Sequence, residues 1–214
     1  MKFLRFIYKV IINPIIGPIV VASTALILLA IFYLPSLSLN NQKEKITRES
    51  KEIVHHLKTF RSYYNEFVVS KVKNLPDIKV DYNHEYSSNT IPLPETTIHN
   101  ISEKLSQNEN VKVNFFIDYL FPNRENRVLD EFQKNSIQFL RENPNEIFIK
   151  QDIVNNKEVI RVAFSDTMNS NSCLACHNGR ADSPKKDWKL GDVGGVLEVV
   201  MPIHEEFVLS SIHT

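Results

Sequence analysis

Between Val10 and Gln42 the sequence carries no charged side chain, and residues 15–34 inside that stretch are long and apolar enough to cross a bilayer as one helix. A backbone entering lipid must satisfy its own hydrogen bonds, so a helix is the form expected. A cleavable signal has an apolar run of roughly 7–15 residues ending on small side chains. This run is longer and closes on Phe32-Tyr33-Leu34-Pro35, which favours an uncleaved anchor over residues 1–36. Lys2, Arg5 and Lys9 precede it. The positive-inside bias then leaves the N-terminus in the cytoplasm and everything after Ser36 on the far side of the inner (cytoplasmic) membrane, in a single pass. Asn13, Pro14 and Pro18 fall at the entry, where a kinked first turn is tolerable.

With 214 residues, 43% of them hydrophobic, the chain has room for one modest domain beside the span. Its 25 basic residues balance 25 acidic ones, so no basic field argues for nucleic acid as a partner. Residues 37–75 read as a juxtamembrane segment dominated by one long helix over 41–73, closed by Pro76. Ile46, Ile53, Leu57, Phe60, Tyr64 and Phe67 recur at a spacing close to 3.5, with Ser50 and Lys71 on the same stripe. Two readings stand: an amphipathic helix lying on its own domain, or one that pairs with its copy in a homodimer.

Residues 76–205 form the candidate domain, followed by a tail over 206–214. The pattern is lost over residues 77–94, which predicts an exposed loop closed by Ile91-Pro92-Leu93-Pro94. Thr96 or Thr97 can cap a short helix carrying Ile98, Ile101 and Leu105. Residues 111–117 alternate as a strand, and a helix over about 127–141 buries Leu129, Phe132, Phe139 and Leu140. Residues 147–154 and 157–164 flank Asn155-Asn156, a pair suited to a two-residue hairpin turn. A further apolar run over 196–203 completes a small antiparallel sheet. The soluble part is α+β.

Only two cysteines are present, and they stand in Cys173-Leu174-Ala175-Cys176-His177. That spacing is the signature of c-type haem attachment: two thiols add to the two vinyl groups of one porphyrin, and the adjacent imidazole reaches the iron from the proximal side. The extracytoplasmic placement agrees with it. A Cys173–Cys176 disulfide or a thioredoxin-like redox pair would leave His177 unexplained. A zinc site would need two further ligands, for which His99 and His204 are the candidates.

The sequence also resembles the Tll0287-like (DUF3365) family of c-type haem domains. The resemblance runs through Arg61-Ser62-Tyr63-Tyr64, residues 68–72, Ile91-Pro92-Leu93-Pro94, residues 121–131 and 163–177, and Ser183-Pro184-Lys185-Lys186-Asp187-Trp188-Lys189-Leu190-Gly191-Asp192-Val193. It implies a PAS-like sensor fold with one covalent haem c late in the chain, often placed before a histidine kinase or a nucleotide cyclase. At Gly194 the family often has Arg, so an arginine assisting a haem propionate would be lacking here.

The resemblance further implies a sixth iron ligand from the N-terminal helix, in some members a cysteine. Both cysteines here belong to the motif, so thiolate ligation is excluded once both thioethers form. Tyr63, Tyr64, His99, Met168 and an open site remain as alternatives. His55 and His56 are adjacent on a helix and cannot both face one iron. Tyr64, Phe67 and Trp188 are candidates for packing on the haem, and Lys185, Lys186 and Lys189 either contact propionates or form a solvated loop. No phosphate loop, no nucleophile paired with a base, and no cyclase or kinase signature occurs, so no enzymatic activity is expected. Two functions fit: a membrane-anchored redox or small-ligand sensor working through a signalling partner or an output domain, or a tethered monohaem electron carrier with a redox partner. The sequence ends eleven residues past Ile203, too soon for a returning second span.

Overall fold

The computed structural model describes Tyr8, residues 13–108 and residues 110–203. Lys2, Arg5, Lys9, His204 and the tail over 206–214 lie outside the described residues. Two compact units divide the chain, one made of Met1–Lys45 with His204–Thr214 and the other of Ile46–Ile203.

In the first unit the described structure is the N-terminal part of α1 (Ile16–Tyr64). Asn13 caps this helix by accepting at Oδ1 from the backbone N–H of Ile15 and of Ile16, each at 3.0 Å. Ser23 and Thr24 donate their hydroxyls back to the carbonyls of Ile19 and Val20, at 2.7 and 2.9 Å. Their polar groups are thereby satisfied within the helix. Leu26, Phe32 and Tyr33 stand exposed along it. It is the one helix among the described residues long and apolar enough to cross a membrane.

The second unit is built on a four-stranded antiparallel sheet of order β3-β6-β5-β4, from β3 (Lys112–Phe116), β4 (Ile147–Val154), β5 (Lys157–Thr167) and β6 (Val193–Pro202). Asn155 and Asn156 turn β4 into β5 at φ 52° and 61°, the left-handed pair that a tight hairpin needs. The sheet has helices on both faces, and alternation along each strand sorts its side chains between them. On one face Ile160, Val162, Leu197, Val199 and Val113 pack with Ile46, Val54 and Leu57 of α1 and with Ile98 of α3 (Pro94–Leu105). On the other, Ala163, Val196 and Phe116 pack under Phe132, Ile137 and Leu140 of α4 (Glu131–Glu142).

That second face also carries a buried ion pair. Arg161 Nε donates to Glu198 Oε1 at 2.6 Å, and Asn114 and Gln133 donate to Glu198 Oε2 at 3.0 and 3.1 Å. Arg161 also reaches Asp130 and Asp152, and lies 4.1 Å from the centre of the Phe132 ring. A fully buried carboxylate is tolerable only with its lone pairs filled in this way. Asp130 ties the network to α4, whose first turn it closes in a reciprocal capping box with Gln133.

Several local expectations are corrected. Residues 77–94 contain a parallel pair, β1 (Lys79–Asp81) with β2 (Thr90–Pro92), strands too short to show a period in the sequence. The following helix is entered through Leu93 with Pro94 in its first turn, and the Thr97 hydroxyl donates back to the Leu93 carbonyl at 3.1 Å. The helix predicted from about 127 begins at Glu131, because Asp130 caps it. The long juxtamembrane helix runs on to Val72 as expected, but with a π-helical turn at Asn65–Val69 between α1 and the short α2 (Ser70–Val72). Its buried face is Ile46, Ser50, Val54 and Leu57, whereas Phe60 and Phe67 of the predicted stripe stay 44% and 45% exposed.

Candidate functional site

Cys173, Cys176 and His177 fall on α5 (Asn171–Gly179), in the connection between β5 and β6. Ser170 starts this helix by accepting at Oγ from the Cys173 N–H at 3.3 Å. On a helix, positions separated by three and four residues share a face, so the second thiol and the imidazole both follow Cys173 along one side. Both thiols are free, Cys173 half-buried and Cys176 exposed.

The His177 ring is held between two aromatics, Phe121 at 5.7 Å and Trp188 at 6.1 Å between ring centres, both nearly edge-on. Burial, and after it the charge of Arg180, hold the imidazole below the usual histidine range, with Asp166 opposing and Arg61 adding. The neutral ring, which alone has a lone pair to offer a metal, is the form favoured there. Trp188 is 7% exposed and also meets Tyr119 edge-on at 5.6 Å. Lys185 Nζ lies 4.8 Å from the Trp188 ring centre and pairs with Asp187. Lys186 donates to the Ala181 carbonyl at 3.1 Å, and the Lys189 N–H donates to Asp192 at 2.9 Å.

Two connections join α5 and its strand to the end of α1. Asn65, at the start of the π turn, donates to the Ser172 hydroxyl at 3.5 Å. One turn earlier, Arg61 makes a two-pronged pair with Asp166 at 2.6 Å on each prong and reaches Glu95 at 2.9 Å. Burial raises the Glu95 carboxyl against the pull of Arg61. Beside this cluster Lys58 donates to the Ser165 carbonyl at 2.6 Å. Asp166 and Thr167 form an irregularity in the β5–β6 pairing where the strand leaves for α5.

The remaining candidates are dispersed. Tyr64 stacks on Phe60 at 6.2 Å and donates its hydroxyl to the Pro92 carbonyl at 2.9 Å. Tyr63 is 60% exposed and packs on Phe67 at 4.8 Å. Met168 is buried, with its methyl 2.5 Å from where a Cβ on Gly194 would stand, so a larger residue at 194 collides with it. His99 faces Phe115 at 5.0 Å and lines a cavity with Arg124 and Arg127. His55 and His56 lie side by side on α1, 5.9 Å apart. No group of three or more His, Cys, Asp or Glu side chains suited to hold a metal occurs among the described residues, of which the zinc candidate His204 is not one.

Sequence reasoning missed Asn178. Its amide accepts from the Trp188 N–H at 2.9 Å and donates to the Trp188 carbonyl at 3.0 Å, fastening the residues after α5 to the motif helix. The available signal was its place directly after His177. Arg61 and Asp166 were missed too, because their pairing spans 105 positions.

Fold and site define an α+β domain in which a Cys-x-x-C-His helix, inserted between two central strands, is clamped by aromatics and tied to a long N-terminal helix. The family model described as Tll0287-like matches residues 40–202, and the chain belongs to that family. Among solved structures, the cyanobacterial haem protein Tll0287 is similar, with 15% identity and a TM-score of 0.46 over 73% of this chain and 96% of that one. A comparison with curated proteins finds no match.

Proposed function

We propose that this chain is a membrane-anchored c-type haem domain that senses a redox change or a small ligand outside the cytoplasm. It would take one haem c, with thioethers to Cys173 and Cys176 and with His177 as the proximal ligand. The donor set fits: two free thiols three positions apart, and an imidazole half-buried and biased to its neutral form between Phe121 and Trp188. Family membership points the same way, since the family takes its name from a haem protein. When bound, haem iron supplies one-electron redox chemistry and an axial position for a small ligand.

The chain's own residues do the rest. Phe121 and Trp188 orient the imidazole and shield it from water. Phe60, Tyr63, Tyr64 and Phe67 offer an aromatic surface at the end of α1, and Tyr63 or Tyr64 is a donor candidate on that side. The observation that carries the sensor reading is the joining of α5 and β5 to α1 through Asn65–Ser172 and Arg61–Asp166. A change at α5 thereby has a route into the helix that continues from the span. Sensing requires two states of that helix with different affinity for the two forms of the haem. The N-terminus is placed in the cytoplasm and the domain in the periplasm, with a homodimer through α1 or a signalling protein as partner.

Expression with c-type maturation tests the attachment. The wild-type chain should keep haem stain on a denaturing gel and resist acid-acetone extraction, and Cys173→Ala with Cys176→Ala should lose both. Extractable haem in the wild type would overturn it. For sensing, hydrogen exchange over residues 41–73 should differ between oxidised, reduced and CO-bound protein. Identical exchange, with a reduced iron that refuses CO and NO, would instead favour a tethered electron carrier.

A further inference from the structure

A cavity of about 380 Å³ lies between α3, β3 and the segment around the 3₁₀ turn Pro122–Arg124, and no residue that lines it belongs to α5. The size is that of a small-molecule site. Val113 and Phe115 give it an apolar wall, and His99, Ser102, Asn123, Arg124 and Arg127 give it polar groups.

Three observations point to an anion. First, Arg61, Arg141, Arg161 and Arg180 each hold a carboxylate, whereas Arg124 and Arg127 form no ion pair among the described residues. Arg127 is fixed in place by donating to the Phe115 carbonyl and lies 5.8 Å from the centre of the Phe116 ring. Two guanidinium groups thus face one carboxylate in the lining, that of Glu103, an exposed residue. Second, burial lowers both arginines from their ordinary value and the charge of Arg124 lowers Arg127 further, with Glu103 opposing at both and Glu198, outside the lining, opposing at Arg127. The same two charges, after burial, push the His99 imidazole down to about 3, so the ring adds no charge of its own. Third, Ser102 is 2% exposed and its hydroxyl has no hydrogen-bond partner. A buried hydroxyl left unpaired is costly, and here it lines the cavity.

We propose that this cavity binds a small organic carboxylate, with Arg124 and Arg127 on the carboxylate, the Ser102 hydroxyl on a polar substituent, and Val113 and Phe115 against the carbon chain. Guanidinium forks match a carboxylate in two-pronged fashion, which a spherical anion cannot reproduce. The proposal does not rest on haem.

The test uses the full chain in detergent with the potassium salts of acetate, L-lactate, succinate, L-malate and citrate, against potassium chloride and potassium phosphate at matched ionic strength. At least one carboxylate should raise the thermal midpoint above both blanks in a saturable manner. Arg124→Gln and Arg127→Gln should each weaken its apparent affinity by about tenfold or more. Lys104→Gln, the same loss of charge on the exposed side of α3, should change it by less than about twofold. Ser102→Ala should weaken binding while leaving the free protein at least as stable. The proposal is overturned if no carboxylate exceeds the blanks, or if the Arg124 and Arg127 variants bind as the wild type does.

Discussion

The side-chain amide of Asn178 closes on Trp188 from both sides of the residue, accepting from its N–H at 2.9 Å and donating to its carbonyl at 3.0 Å. Trp188 is largely buried, so removing the amide strands two main-chain groups with few substitutes. Asn178→Ala should cost about 1–3 kcal/mol in denaturant unfolding. Trp188 is the single tryptophan, so its fluorescence reports the site alone in the haem-free chain, where no porphyrin quenches it. The emission should shift to the red in the variant, and an unchanged spectrum would remove Asn178 from its positioning role.

Gly194 is occupied by its neighbour rather than free. A Cβ there would stand 2.5 Å from the Met168 methyl and 3.3 Å from its sulfur. Gly194→Arg should therefore swing the flexible end of Met168 aside and destabilise the domain by about 1 kcal/mol or less, at the low end of overpacking costs. Met168→Ala vacates that space, so the double variant should be more stable than the two single changes predict by addition. Additive thermal midpoints would show that the two positions do not compete.

Acid should weaken the fold through His99. Its folded-state value is pushed down to about 3 by burial and by Arg124 and Arg127, with Glu103 the acidic group on the same cavity. An unfolded histidine protonates near ~6.5. The unfolded chain consequently binds more protons between those values, and stability present above the upper one is lost as pH falls. Denaturant midpoints should drop less steeply in His99→Phe than in wild type between pH ~6.5 and ~4. Parallel profiles would contradict this.

The strands of the four-stranded sheet, the Asn155-Asn156 turn and the Cys-x-x-Cys-His motif were legible because each rests on local pattern, whereas the helix that carries the motif was not read. Alternation marked the strand around Val113, apolar runs marked those around Val162 and Leu197, and the two asparagines tolerate the positive φ that the turn takes. Helix starts were less legible. Asp130 and Pro94 carried the signals, but Val128 and Leu129 drew one predicted start upstream, and the capping preference of Thr96 and Thr97 drew the other downstream. The face that α1 buries was read with Phe60 and Phe67 on it, since a spacing near 3.5 drifts from the 3.6 of a helix and burial follows the latter. Around His177 only the motif and Trp188 were visible. Phe121, Arg61 and Asp166 arrive there through pairing between distant segments, which no window of sequence records.

The π turn at Asn65–Val69 takes more residues per turn than the helix before it. Were that surplus residue absorbed into ordinary α geometry, side chains upstream would rotate by about 100° relative to those downstream. The sheet opposes this, because Ile46, Val54 and Leu57 are buried against it and Lys58 and Arg61 are bonded to Ser165 and Asp166. The domain core thus acts as a detent on a rotatable shaft. That grip sets the rotation of Phe60, Tyr63 and Tyr64 about the helix axis, and a disturbance that loosened it would be felt as a discrete click rather than a gradual bend.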